Sequence, residues 1–327
     1  MKLKDSLAGC DSLDNLINII SVVGPTASGK TKLSVELAKT FNGEIISADS
    51  MQIYKDMQIA TAKPTEEEKC GIFHHLMDFL PADKSYSVAN FVTDAKKCVE
   101  DIHNRNKIPF VVGGTGLYVD SLLNNITFSE EKRDEKLCEE LMQIYKDEGS
   151  EKLLEMLNEF DSESAQRLSQ QVNVKRIIRA IEFYKTNGIT ITEQNKNSML
   201  VKNPYKTTKI GINFRDRQKL YERINIRVDM MIERGLIEEA RRILSSELSF
   251  TSVKAIGYKE LIPYFRNEKT LDECIEKLKM ETRRYAKRQI TWFKRDTDIN
   301  WLYADDYNCF EELYNAAALI TKRGIYG

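Results

Sequence analysis

Residues 24–31 read GPTASGKT and fit the phosphate-loop pattern G-x-x-x-x-G-K-[ST] through Gly24, Gly29, Lys30 and Thr31. Glycines let backbone N–H groups turn inward onto phosphate oxygens. Lys30 adds a positive charge, and the Thr31 hydroxyl can reach a magnesium ion. The whole run, Gly24, Pro25, Thr26, Ala27, Ser28 and Gly29 with Lys30 and Thr31, is therefore a candidate phosphate cradle. Two further residues stand where an α/β sheet presents its chemistry. Asp49, in DSMQIYKDM, can hold magnesium, act as a general base or cap a helix; Thr115, in GGTG at 113–116, can face a ligand or serve as an ordinary N-cap. Arg223 and Arg227, four apart, share a helical face and can clamp a diphosphate or form a solvated face.

These residues need elements to place them. Leu16–Val23 (LINIISVV) is a short, β-branched apolar run suited to a buried parallel strand, and Leu33, Leu37 and Phe41 recur at helical spacing after the loop. A helix that starts where the loop ends directs its positive end at the anion. Gly43–Asp49 reads as a second strand ending in an acid, and Ile108–Val112 as a third ending in GGTG. Between them Ser87 caps a helix with an apolar face of Val88, Phe91, Ala95, Val99 and Ile102. The pattern predicts an α/β fold with a doubly wound parallel sheet of the phosphate-loop, nucleotide-kinase-like kind. Strand three lacks the terminal acid that many ATP hydrolases place beside their loop, which argues against a motor.

From about Thr127 the pattern becomes helical, with helices over 134–147, 151–159 and 172–187, the last closed by Gly188. A strand returns at 207–214, followed by long helices through 215–244 and 271–295. The expected domains are an N-terminal extension at 1–15, a core of 16–126 and 206–327 with a helical C-terminal part, and a helical insertion at 127–205. His74 and His75 are adjacent and point opposite ways in an extended segment, so they read as structural.

The 327 residues suffice for a large core, and the formal net charge of −1 neither requires nor excludes a nucleic acid. Six scattered cysteines without a C-x-x-C pair read as reduced thiols, and no apolar run is long enough to span a membrane. A cytoplasmic protein is expected, with monomer as the default. The helix at 271–295 sets Arg283, Lys287 and Lys294 along one line and Arg284, Arg288 and Arg295 along the next, beside a seam of Leu278, Tyr285 and Trp292. Lys175, Arg176 and Arg179 occupy one face in the insertion. Each strip alone is an ordinary solvated face; together they suggest a polyanion such as RNA.

In order, these motifs resemble the tRNA dimethylallyltransferases, also called tRNA isopentenyltransferases. The matching runs are GPTASGKT (24–31), ISADSMQIYKDM (46–57), TAKP (61–64), HHLMD (74–78), YSVANF (86–91), VVGGTGLY (111–118), RIIRAIEFY (176–184), LYERINIRVDMMIERGL (220–236), AIGYKE (255–260) and TRRYAKRQITWFKR (282–295). Gln58 and Ala60 stand where the family usually has Asp and Gly, HHLMD replaces the commoner HHLID, and the segment from Asn124 to Arg133 is short. The resemblance implies transfer of a five-carbon prenyl group from dimethylallyl diphosphate to the exocyclic amine of the adenine just 3′ of the anticodon in tRNA. By that resemblance Asp49 accepts the amine proton, Thr115 holds the reacting centre in line, and Lys30, Thr31 with Mg2+, Arg223 and Arg227 hold the leaving diphosphate. The anticodon stem-loop would meet Asp49, Ser50, Met51, Gln52, Thr115, Arg133, Lys175, Arg176, Arg179, Lys254, Lys259, Arg283, Arg284, Lys287, Arg288 and Gln289. The alternatives are a phosphate-loop kinase that binds ATP and a small acceptor, a prenyltransferase acting on free adenine nucleotides, and a nucleotide-gated RNA-binding protein.

Overall fold

A computed structural model describes residues 16–126, 128, 134–245, 248, 252 and 255–327. Strand β1 (Ile17–Val23) lies at its centre, with Ile19, Ile20, Val22 and Val23 no more than 1% exposed. Such two-sided burial explains its unbroken apolar run. The chain continues through α1 (Lys30–Thr40), β2 (Gly43–Ser47), the short α2 (Glu66–Lys69), β3 (His74–His75), α3 (Val88–Asn104), β4 (Ile108–Gly113) and α4 (Gly116–Leu123). Helical segments follow: α5 (Glu135–Asn158), broken at the non-helical Gly149 (φ 84°) between the two helices expected at 134–147 and 151–159, then α6 (Ser162–Gln170), α7 (Val174–Asn187) and α8 (Ile191–Leu200). The remainder is β5 (Tyr205–Asn213), α9 (Arg217–Glu233), α10 (Leu236–Leu244), α11 (Ile262–Phe265), α12 (Leu271–Phe293), β6 (Asn300–Tyr303) and α13 (Phe310–Tyr326).

The six strands run parallel in the order β3-β2-β4-β1-β5-β6. From β1 the chain passes over β4 to reach β2, while β5 reaches the other side of β1 from much later in sequence. The carboxyl end of β1 is thus where connections diverge, the place where open α/β sheets bind ligands. Leu33 and Leu37 of α1, with Leu313 and Ala317 of α13, close a core over Ile20, Val22, Phe110, Ile210 and Ile212.

Two compact units result: one takes the chain up to Leu123 together with Pro204–Gly327, the other is Asn124–Asn203. The boundary falls before Tyr205 because β5 pairs with β1 from its first residue, opposite Ile17. In the helical unit Leu141, Leu153, Leu157, Ile177 and Ile181 are buried together, and Phe160 stacks on Tyr184 at 4.0 Å. Asp161, 4% exposed, caps α6 through the Ser164 amide and accepts from the Thr192 hydroxyl at 2.7 Å.

Local chemistry accounts for the differences from the pattern-based reading. The stretch 215–244 is two helices, because Gly235 adopts φ 95° and starts α10. The second strand stops at Ser47, two residues before Asp49. Strands β3 and β6, of two and four residues, are too short to show an alternation, and α6, α8 and α13 were not anticipated. His74 and His75 form β3, and His75 Nε2 lies 2.7 Å from Glu44. That carboxylate, buried on β2, also takes Arg105 and Lys107, which hold it well below the usual carboxylate range despite burial.

Candidate active site

The phosphate loop leaves β1 at Gly24, whose φ is 149° and where a Cβ would lie 2.3 Å from the Ile212 carbonyl oxygen. Only glycine lets the loop pass that close to β5. α1 then begins at Lys30, with Gly29 in the left-handed region at φ 97°. Lys30 Nζ donates to the Pro25 carbonyl at 3.0 Å. Burial, then the nearby Arg227 charge, push its ammonium down to about 8, and Asp49 offsets only part of this.

Asp49 and Thr115 are brought together by the loops after β2 and β4. The Ala48 amide donates to the Val112 carbonyl at 2.8 Å, and the Thr115 amide to the Ala48 carbonyl at 3.2 Å. Thr115 Oγ1 accepts from the Ser50 amide at 3.0 Å and donates to Ser50 Oγ at 3.3 Å. Asp49 Oδ1 accepts from the Met51 amide at 2.9 Å, a turn that fixes the carboxylate. Thr115 also starts α4 through its carbonyl, which accepts from Tyr118 and Val119, while its hydroxyl is engaged by Ser50 rather than by the helix amides.

A cavity of about 250 Å3 is lined by Thr26, Lys30, Thr31, Asp49, Ser50, Met51 and Gln52 together with Arg227, Lys259, Tyr285, Arg288 and Gln289. A second, of about 800 Å3, shares Lys30, Thr31, Ala62, Arg227 and Met231 with it and adds Arg223, Ile226 and Met230. Arg223 Nε donates to the Ala27 carbonyl at 3.0 Å, so the guanidinium rides on the phosphate loop. Burial lowers the Arg227 pKa, opposed by the Asp49 charge. Cations and a carboxylate thus line shared space at the phosphate loop: a place for an anion next to an acid side chain. Among the described residues no group of three His, Cys, Asp or Glu side chains could cage a metal. Thr31 lies on the cavity wall beside Lys30, and its hydroxyl is an oxygen donor of the kind that magnesium takes.

Comparison with known proteins decides the lineage. The IPP transferase family model matches residues 52–296, and the isopentenyl transferase model residues 17–78. The chain belongs to the IPP transferase family, that of the tRNA dimethylallyltransferases. A tRNA dimethylallyltransferase of Thermoanaerobacter sp. (strain X514) is 47% identical over 300 residues, which cover 91% of this chain and 95% of the relative. That of Caldanaerobacter subterraneus subsp. tengcongensis is 46% identical with the same coverage. The crystal structure of the tRNA isopentenylpyrophosphate transferase of Bacillus halodurans is 39% identical, with a TM-score of 0.69 and coverage of 94% and 98% of the two chains. A eukaryotic dimethylallyltransferase solved acting on tRNA is 30% identical, with a TM-score of 0.76 and coverage of 93% and 78%.

Within this member of the IPP transferase family, most of the anticipated residues fall into three groups, with Lys259 apart from them. The phosphate loop, Asp49, Ser50, Met51, Gln52, Thr115, Arg223 and Arg227 gather at the carboxyl end of the sheet. On α12, Arg284, Lys287 and Arg288 are exposed, while Arg283 donates to Asn225 at 2.6 Å and Gln289 is only 5% exposed. In the helical unit Lys175 and Arg176 are exposed, whereas Arg179 pairs with the buried Glu182. Lys259 is exposed; Arg133 and Lys254 lie outside the described residues.

Two contributors were not singled out. Tyr285, read as part of an apolar seam, lines the cavity with its hydroxyl in reach of Thr115 and Gln289, and burial raises its pKa. Glu239, 6% exposed, accepts from the amides of Gln58, Ile59 and Ala60 at 2.8–2.9 Å and from the Tyr258 hydroxyl at 2.9 Å. It anchors the segment that brings Ala60, Thr61 and Ala62 to the cavity wall. The GLIEEA sequence offered no signal for this, because an acid in the first turn of a helix is ordinary.

Proposed function

We propose that this protein transfers a dimethylallyl group from dimethylallyl diphosphate to the exocyclic N6 amine of the adenine 3′-adjacent to the anticodon of tRNA, releasing diphosphate. The supporting observation is that Asp49 shares one cavity with Lys30 and Arg227 at the mouth of a phosphate loop. An adenine amine is a weak nucleophile because its lone pair is delocalised into the ring. Asp49 takes the proton as the amine nitrogen forms its bond to C1 of the prenyl group, a role worth ~10²–10⁴-fold. The bond from C1 to the diphosphate oxygen breaks with its electron pair on the oxygen, and the loop amides, Lys30, Arg223 and Arg227 meet the charge that develops there. Mg2+ held by Thr31 and the diphosphate would add further neutralisation. The Ser50–Thr115 hydrogen bonds hold Asp49 and the adenine side of the cavity in register.

The target base must leave the anticodon-loop stack, at a cost of roughly a few kcal/mol. Exposed cations on α12 and α7, with Lys259, supply phosphate contacts that offset it. The relatives named above are all transferases, and nothing favours the kinase alternative.

The test is incubation with unmodified tRNA, magnesium and labelled dimethylallyl diphosphate, followed by digestion of the RNA. Prenylated adenosine is expected, with the rate falling by ~10²–10⁴-fold in Asp49→Asn while tRNA binding persists. Absence of product with the unaltered protein, or transfer of phosphate from ATP, overturns the proposal.

A further inference from the structure

We infer that Gln289 is a positioning residue that ties the phosphate loop to the loop bearing Thr115, rather than a contact for tRNA. The inference rests on the prenyl-transfer reading above. Gln289 is 5% exposed on the inward side of α12, between the exposed Arg288 and the half-buried Ile290. Its Oε1 accepts from the Thr26 amide at 2.9 Å, and its Nε2 donates to the Gly114 carbonyl at 3.0 Å. One partner is a donor and the other an acceptor, so a single orientation of the side-chain amide satisfies both.

Two consequences follow from this bridge. The Thr26 amide, although in the phosphate loop, is committed to Gln289 and withheld from the diphosphate. Gly114 lies next to Thr115, so the same side chain spans the donor cradle and the acceptor side of the cavity. The fit is tight: a Cβ on Gly114 would lie 2.0 Å from Gln289 Nε2, which makes glycine a requirement of the clamp. A displacement of about 1 Å between reacting groups costs on the order of 10²-fold in rate.

The experiment compares the full-length protein with Gln289→Met, which keeps the chain length without either hydrogen bond, and with Gly114→Ala, which leaves the amide present but displaced. The expected result is a kcat at saturating tRNA lower by roughly 10–100-fold in both. The Kd for tRNA stays within about twofold, and the two changes are non-additive in the double variant. Thermal melts check folding, and loss of cooperative melting in Gln289→Met moves the decision to Gly114→Ala. A tenfold rise in tRNA Kd with unchanged kcat, or no change in either variant, overturns the inference. Failure of the unaltered protein to prenylate tRNA instead defeats the reading on which it rests.

Discussion

Along α7, Lys175 and Arg176 face outward while Ile177, Ile178 and Ile181 fill the centre of the helical unit; along α12, Arg284 and Lys287 face outward, the exposed Arg288 reaches the cavity wall, and Tyr285 and Gln289 turn toward the cavity. Both helices look alike in sequence, with cations beside an apolar seam. What differs is the neighbour that the inward face meets. Against other helices the inward face packs, and its one buried acid, Glu182, serves the fold by accepting from the Asp134 amide and pairing with Arg179. Beside the mouth of the phosphate loop, the same seam carries a phenol and an amide that hold other parts of the site. An amphipathic pattern therefore reports which face is buried, and stays silent about whether burial is against a core or against a ligand.

The contrast makes inward substitutions on α7 a matter of stability. Ile181 is fully buried, and Ile181→Ala is expected to destabilise the helical unit by about 2–5 kcal/mol through lost burial and the cavity left behind. Denaturant melts measure the loss, and prenyl transfer per folded molecule should persist at low temperature. A large fall in turnover with no change in stability would erase the distinction drawn between the two helices.

Much of the core was legible because local chemistry and fold agree there. The run before Gly24 needs burial on both sides, the loop needs its glycines, and Ser87 with Asn90 forms a capping box that starts α3 where its apolar stripe begins. Asp49 and Thr115 were singled out because the turns just past strands are legible, and the structure sets those two turns side by side through Ser50. Tyr285 and Glu239 were not, because their roles depend on partners far away in sequence: Thr115 in one case, the amides of 58–60 in the other. Strand β6 was missed for a related reason. NWLY has too few residues to show a period, and its place in the sheet comes from pairing with β5 at Ile212 and Leu302.

Outward faces should behave alike on both helices. Arg284→Glu with Lys287→Glu is expected to lower tRNA affinity by roughly 10²-fold and to flatten its salt dependence by about one unit of slope per lost contact. Lys175→Glu with Arg176→Glu should act in the same direction, measured by filter binding across salt concentrations. Binding of inorganic pyrophosphate should survive both pairs. Its loss in either pair would mean that the outer cations support the donor site, and the inward–outward division would fail.

The smallest effect expected concerns how the two units use a buried or half-buried cation. Arg179 on α7 rests on Glu182, so its charge is already matched within the fold. Lys30 rests on a carbonyl oxygen, and burial together with Arg227 brings its pKa down to about 8. The sign follows from which form binds. Phosphates favour the ammonium, so pyrophosphate affinity is full while Lys30 is protonated and declines as pH rises through about 8, approaching tenfold per pH unit until the ligand-bound lysine itself titrates. Calorimetric titration of the magnesium-free protein with pyrophosphate between pH 7 and pH 9.5 measures this decline, with affinity at pH 7.5 only modestly reduced from its plateau. Lys30→Ala should bind weakly throughout and lose that pH dependence, whereas an unaltered decline in Lys30→Ala would assign the titration to another group and leave Lys30 as silent as Arg179.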